Sequence, residues 1–173
     1  DGAIQMIDQP TRADTMRLFR HPSIDFIWTT GGQKIVQAAN ASGKPNIGVG
    51  AGNATVYIHE SADIRMAVSD VVLSKTFDAS VICPAEQTAV VDASIKDAVL
   101  AEFARMGAHT LGTDESAKLM GVCFDPESGE PNMLAIGRSV RQLAKMAKID
   151  VPEHAQMLVA PVERFDRSNM LLH

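Results

Sequence analysis

Short apolar blocks alternate with helix-patterned ones along the first fifty residues. Residues 3–7 are an apolar run closed by Asp8, Gln9 and Pro10. Thr11 then opens a helical stretch, with Met16, Phe19 and Arg20 at turn spacing, and Pro22 stops it. Residues 24–30 (IDFIWTT) are β-branched and aromatic and predict a buried strand. Gly31 and Gly32 lead into a helix with Ile35, Val36 and Ala39 on one face and Gly43 as its stop. Residues 46–49 predict a further strand that runs into GVGAGN. Short strands joined by helices of about ten residues predict parallel βαβ packing, because a parallel pair needs a crossover connection. Ligands in such sheets bind beyond the carboxyl ends of the strands. Both glycine-rich turns, TTGG and GVGAGN, fall there.

The pattern then changes. Residues 55–59 (TVYIH) predict a strand, and Asp63 opens a helix with Ile64, Ala67, Val68, Val71 and Val72 on one face. Residues 86–91 predict another strand. Ser94 is placed to cap a helix whose apolar side is Val99, Phe103 and Met106, with Gly107 ending it. A shorter helical piece is expected at 115–120, followed by a loop marked by Pro126, Gly129 and Pro131. Residues 139–148 are amphipathic through Val140, Leu143, Ala144 and Ala147, and 156–162 predict a late strand. The fold class expected is therefore α/β.

Composition narrows the function classes. Of 173 residues, 46% are hydrophobic and 21% charged, close to an ordinary soluble globular chain. A net charge of -5, with Lys and Arg scattered, argues against a nucleic-acid binder, which needs a basic surface to displace counterions. No run approaches the ~20 apolar residues of a bilayer span, so no membrane partner is expected. The opening DGAIQMIDQP has neither the basic nor the apolar region of a signal peptide, and it lacks an initiator Met. An internal piece of a cytoplasmic protein with reduced thiols is the expectation. Cys83 and Cys123 stand outside any CxxC group and the five histidines are dispersed, so no metal site is expected.

The candidate chemistry centres on Cys83. Cysteine is often buried as a small hydrophobe. Yet Cys83 follows a helix and precedes Pro84 and the strand EQTAVV, on a turn where a thiol can meet a ligand. There its own N–H can help hold an oxyanion. A nucleophilic thiol needs activation, and the local sequence names no partner for it. From the local residues both readings stay open. Cys123, between Val122 and Phe124, reads as packing. GVGAGN departs from GxGxxG before a helix, since a strand follows it; bare backbone there suits either a flat ring lying close or a tight turn. TTGGQKIV does fit strand–Gly-Gly–helix, with N–H groups available to a phosphate or a nicotinamide amide. His59 and His109 qualify as bases by residue type alone.

Taken in order, IDFIWTTGGQKIVQAANASGKPNIGVGAGNATVYIHESADI and SKTFDASVICPAEQTAVV closely resemble the CoA-acylating aldehyde dehydrogenases. The nearest likeness is to the aldehyde dehydrogenase half of the bifunctional aldehyde–alcohol dehydrogenases. It is strong over 24–103 and looser from there to 173. The resemblance implies the end of a Rossmann-like NAD domain at 1–53 and part of an α/β catalytic domain at 54–173. It implies that Cys83 is the nucleophile, that Thr30, Gly31 and Gly32 form the turn beside NAD, and that Gly50 lies against the nicotinamide. Glu86 and Gln87 match the motif as supports for the loop. Hydrolytic relatives carry a water-activating glutamate where Val49 stands, and valine cannot take a proton. The implied reaction is therefore aldehyde, CoA and NAD to acyl-CoA and NADH, reversibly, through a Cys83 thioester, with acetaldehyde as the expected aldehyde. A homo-oligomer and a fused iron-dependent alcohol dehydrogenase domain in the parent chain are further implications. An oxyanion-hole asparagine and a ribose-binding glutamate are expected outside these 173 residues, which alone are expected to be inactive. The rival readings are a hydrolytic aldehyde dehydrogenase and a non-catalytic NAD-binding or assembly module.

Overall fold

The computed structural model describes residues 2–50 and 52–162, and the chain divides into two compact units between Gly52 and Asn53. Ala51 of GVGAGN and residues 163–173 of the expected second domain lie outside the described residues.

In the first unit, residues 2–10 form neither helix nor strand, and the apolar run exposes Ile4 and Met6. Helix α1 (Arg12–Arg20) starts where expected. The Thr11 hydroxyl accepts from the Asp14 N–H, and the Asp14 carboxylate accepts from the Thr11 N–H. Strand β1 (Ile27–Thr30) is shorter than the 24–30 pattern suggested. The Ile24 N–H donates to the His21 carbonyl in a turn, and pairing begins only at Ile27, whose N–H reaches Pro45 O. The strand is also one-sided: Ile27 and Thr29 are buried while Trp28 is 75% exposed. Helix α2 (Gln33–Asn40) crosses over to β2 (Asn46–Val49), which pairs parallel with β1 in the register Ile27↔Asn46 to Thr30↔Val49. Phe19, Ile27 and Ala39 form the core of this unit, with Met16, Ile24, Ile35 and Ala38 packed on it.

The second unit is built from β3 (Ala54–Ile58), α3 (Ile64–Thr76), β4 (Glu86–Val91), α4 (Lys96–Arg105), β5 (Ala108–Thr110), α5 (Thr113–Cys123), α6 (Val140–Ala147) and β6 (Met157–Val159). Strands β3 and β4 pair parallel, and so do β5 and β6. One core joins Ile58, Val68, Val71, Val72, Val99, Phe103, Ala108 and Met157. A second, beneath α5 and α6, joins Leu111, Leu119, Ala147 and Ile149.

Several expectations need correcting here. Ser94 does not cap α4, because a 3₁₀ turn at Ala93–Ile95 comes first and the Ser94 hydroxyl donates to Glu60 instead. Helix α5 is longer than 115–120, because the Glu115 carboxylate reaches back to the Gly112 N–H and starts it two residues earlier. Its last residue is Cys123. Strand β5 was not anticipated, and β6 covers only three residues of 156–162. Asp63 and Ser139 cap α3 and α6 as their side chains suggest. Among the described residues no helix is long and apolar enough to cross a membrane.

Candidate active site

Two separate surfaces carry the residues singled out by sequence. The first is the carboxyl edge of the β1–β2 pair. Register places Thr30 opposite Val49, and the Gly31 N–H donates to Val49 O, so TTGG and the start of GVGAGN lie side by side. The glycines there do different work. A Cβ on Gly31 would lie 2.7 Å from Ile35 Cγ2, and one on Gly48 would lie 2.6 Å from Val36 Cγ1. Both are bare so that α2 can pack tightly on the strands. A Cβ on Gly32 or Gly50 would meet nothing within 4 Å. Among the described residues, packing does not explain why these two positions lack a side chain. Gly32 is the N-cap residue of α2, and no side chain caps that helix start. The edge thus offers a helix N-terminus and flat, unobstructed backbone.

The second surface surrounds Cys83, which is exposed on the turn between α3 and β4. Helix α3 ends at Thr76. Asp78, Ala79 and Ser80 then follow in the left-handed region with φ of 47°, 51° and 63°. An L-residue held there costs roughly 1–2 kcal/mol, so three in succession need outside support. The turn has it. The Lys75 ammonium donates to Gln87 Oε1, and Gln87 Nε2 donates to Ser80 Oγ at 3.2 Å. The Val81 N–H reaches back to Asp78 O, and the Ala85 N–H closes the cysteine turn onto Ile82 O. Beyond it Ala85 is fully buried and anchors the start of β4. A shallow cleft of about 330 Å³ opens on the outer side of α3, lined by Asp70, Leu73, Ser74, Phe77 and Ile82. Ile82 is the residue before Cys83. Leu73 and Phe77 are 71% and 60% exposed, apolar side chains of the cleft that the core leaves out.

The other candidates separate from Cys83. Cys123 is half-buried in a groove of about 860 Å³ between β4 and β6. Burial pushes its thiol up from the ordinary range, against a smaller opposite pull from Lys75, and burial in turn pushes Lys75 down. That environment suits packing and makes a poor nucleophile. Glu86 lines the same groove with Oε2 buried and without a hydrogen-bond partner among the described residues. His59 accepts from the Ser61 N–H and lies 4.0 Å from Asp92, at the end of β3. His109 sits on β5, 3.8 Å from Glu115. Neither histidine is brought to the cysteine turn by any contact of the described residues. No group of three His, Cys, Asp or Glu able to hold a metal occurs among the described residues. Sequence reasoning did not single out Lys75, Ser80, Leu73, Phe77 or Ile82. The helical stripe Leu73–Phe77, facing away from Val68, Val71 and Val72, was the signal that could have found the cleft.

Comparison with known proteins shows the family. Residues 1–148 match the model of the aldehyde dehydrogenase family. The bifunctional aldehyde-alcohol dehydrogenase of Escherichia coli (strain K12) is 42% identical over 170 residues, which is 98% of this chain and 19% of that protein. The crystal structure of an acetylating aldehyde dehydrogenase from Geobacillus thermoglucosidasius superposes with a TM-score of 0.88 at 41% identity, covering 94% of this chain and 36% of that one. A Rhodopseudomonas palustris propionaldehyde dehydrogenase, solved with bound CoA and an acylated cysteine, gives a TM-score of 0.84 at 27% identity over 94% of this chain and 36% of its own. The chain thus spans about a fifth to a third of the relatives it matches. With a family model covering most of its length and an α/β structure superposing on solved members, the chain belongs to the aldehyde dehydrogenase family.

Proposed function

We propose that these residues form the cysteine-bearing part of an NAD-dependent, CoA-acylating aldehyde dehydrogenase, with Cys83 as its nucleophile. The unit ending at Gly52 is then the end of the NAD-binding domain, and the unit starting at Asn53 is part of the catalytic domain. The observation that carries the reading is the exposed Cys83 on a braced turn beside an apolar cleft of side chains that the core leaves out. Relatives named for CoA-dependent oxidation of small aldehydes support it.

The residues present fit a nicotinamide cofactor at the carboxyl edge of β1 and β2. Gly32 and Gly50 leave the backbone open there, Gly31 lets α2 start close to the strand, and Thr30 is exposed beside them. When bound, NAD supplies the two-electron acceptor for the oxidation. Cys83 sulfur adds to the aldehyde carbonyl, its proton leaves to solvent, and the carbonyl oxygen takes the negative charge. Loss of two electrons and the carbonyl hydrogen from that adduct leaves an acyl thioester on Cys83. Leu73, Phe77 and Ile82 wall a cleft suited to a short alkyl chain. By resemblance Val49 takes the sequence position at which hydrolytic relatives carry the water-activating glutamate, so the thioester awaits the thiol of CoA, and thiol exchange regenerates Cys83. A homo-oligomer and fusion to an alcohol dehydrogenase domain belong to the same reading.

The test uses the complete polypeptide carrying these residues. Acetaldehyde oxidation should require CoA and yield acyl-CoA, and Cys83→Ser should abolish it, while Cys123→Ser should not. Acetate formed without CoA, or full turnover by Cys83→Ser, would overturn the reading.

A further inference from the structure

We propose that Gln87 is a positioning residue for Cys83, holding the left-handed turn Asp78–Ala79–Ser80 by bridging Lys75 to Ser80. The inference rests on the reading of Cys83 as the nucleophile and adds a residue that does not itself touch substrate. Three observations carry it. The three residues are left-handed and none is glycine, so the turn is not the chain's resting conformation. It joins the end of α3 to the cysteine turn, so any relaxation moves Cys83 relative to Leu73 on the helix. Gln87 sits on β4, beyond Cys83, and is the side chain that ties both flanks together: its Oε1 accepts from Lys75 near the end of α3, and its Nε2 donates to Ser80 at 3.2 Å.

A glutamine does this better than a charged residue of one sign. It presents one acceptor to the ammonium and one donor to the hydroxyl, and the two bonds run in series from helix to turn. Glutamate keeps the bridge if the Ser80 hydroxyl turns to donate. Methionine keeps the length and volume and loses both bonds. These alternatives define the test in the full polypeptide. Gln87→Met should lower kcat per titrated Cys83 by roughly 10- to 100-fold, the penalty of displacing a reacting group by about 1 Å, with KM for aldehyde changed less than about threefold. Gln87→Glu should stay within about threefold of the parent, since both hydrogen bonds survive. Adding Ala79→Gly to Gln87→Met should restore most of the loss, because glycine enters the left-handed region without a penalty. A role in stability alone would lower the unfolding midpoint and the fraction of titratable thiol together, leave kcat per thiol unchanged, and give no glycine rescue.

Full kcat in Gln87→Met, or no recovery with Gly at position 79, overturns the proposal. Should Gln87→Met fail to fold, Ser80→Ala decides it by removing only the receiving hydroxyl: unchanged turnover counts against the bridge and reduced kcat at constant KM supports it. Full turnover in Cys83→Ser instead would sink the nucleophile reading, and is distinguishable because it needs no change at Gln87.

Discussion

Replacing Gly48 with alanine probes how closely the first unit is packed under its ligand edge. The Cβ would arrive 2.6 Å from Val36 Cγ1, whereas two carbons rest at about 3.5–4.0 Å, so roughly 1 Å must be found. Val36 cannot swing aside cheaply, because a β-branched side chain in a helix holds about nine-tenths of its population in one rotamer. The strand and helix must therefore move apart, at the ~1–3 kcal/mol typical of overpacking. Alanine recovers about 0.5–1 kcal/mol of the backbone entropy that glycine loses on folding. The net loss expected is about 1–2 kcal/mol, or ~2–8 °C in unfolding midpoint at ~2–4 °C per kcal/mol. Val36→Ala removes the obstructing methyl, so in a double-mutant cycle the pair should lose about 1–2 kcal/mol less than the sum of the singles. Urea unfolding of the four proteins measures this. Additive losses, or a Gly48→Ala protein as stable as the parent, would refute the claim that Gly48 is bare for packing.

Gly50→Ala should behave in the opposite way. Its Cβ meets nothing, so stability should stay within about 0.5 kcal/mol. KM for NAD should rise by roughly tenfold or more, since a methyl would stand on the surface proposed for the ring, which steady-state kinetics at varied NAD would detect. Asp92 gives a pH prediction. The Tyr57 hydroxyl, 2.7 Å away, and then the Glu60 N–H hold its carboxyl below the usual range. A depressed folded value means the contribution is present above the unfolded pKa of about 3.9 and is lost as pH falls through the folded one. The same bond raises Tyr57, so it is also lost once pH climbs above about 10 and through the raised folded value. Asp92→Asn should flatten both limbs of a plot of urea midpoint against pH, and an unchanged acid limb would count against this account.

The regular elements were legible because their local signals agreed. Thr11, Asp63 and Ser139 mark helix starts by side-chain chemistry, and NIGV and EQTAVV became β2 and β4 residue for residue. What escaped was set by partners distant in sequence. Residues 24–26 look like strand, yet they remain outside it because β2 offers nothing before Asn46 to pair with them. Strand β5 is three residues long and exists because β6 runs beside it. Ser94 has cap chemistry, but its hydroxyl donates to Glu60, which is 34 positions away in sequence. The candidate site divides in the same way: Cys83 and the glycines could be found by type and order, whereas the cleft and the bridge depend on which side chains the fold leaves outside.

A motif reading gives one reason for a run of glycines, and the structure gives several. In TTGG and GVGAGN, Gly31 and Gly48 are required by Ile35 and Val36, so they would persist in a protein that bound nothing. Gly32 and Gly50 have no such neighbour among the described residues, and the proposed nicotinamide site would use the bare backbone there. The turn before Cys83 reverses the pattern. Three residues with side chains occupy backbone that glycine would adopt more easily, so rigidity is obtained from the Lys75–Gln87–Ser80 bridge instead of from local sequence. A glycine there would adopt the same backbone without the strain, so the turn would no longer depend on the bridge. The substitutions at 50 and 79 therefore test one principle from opposite sides. Adding a methyl at 50 should damage binding without touching stability, and removing one at 79 should restore turnover only when the bridge has been cut.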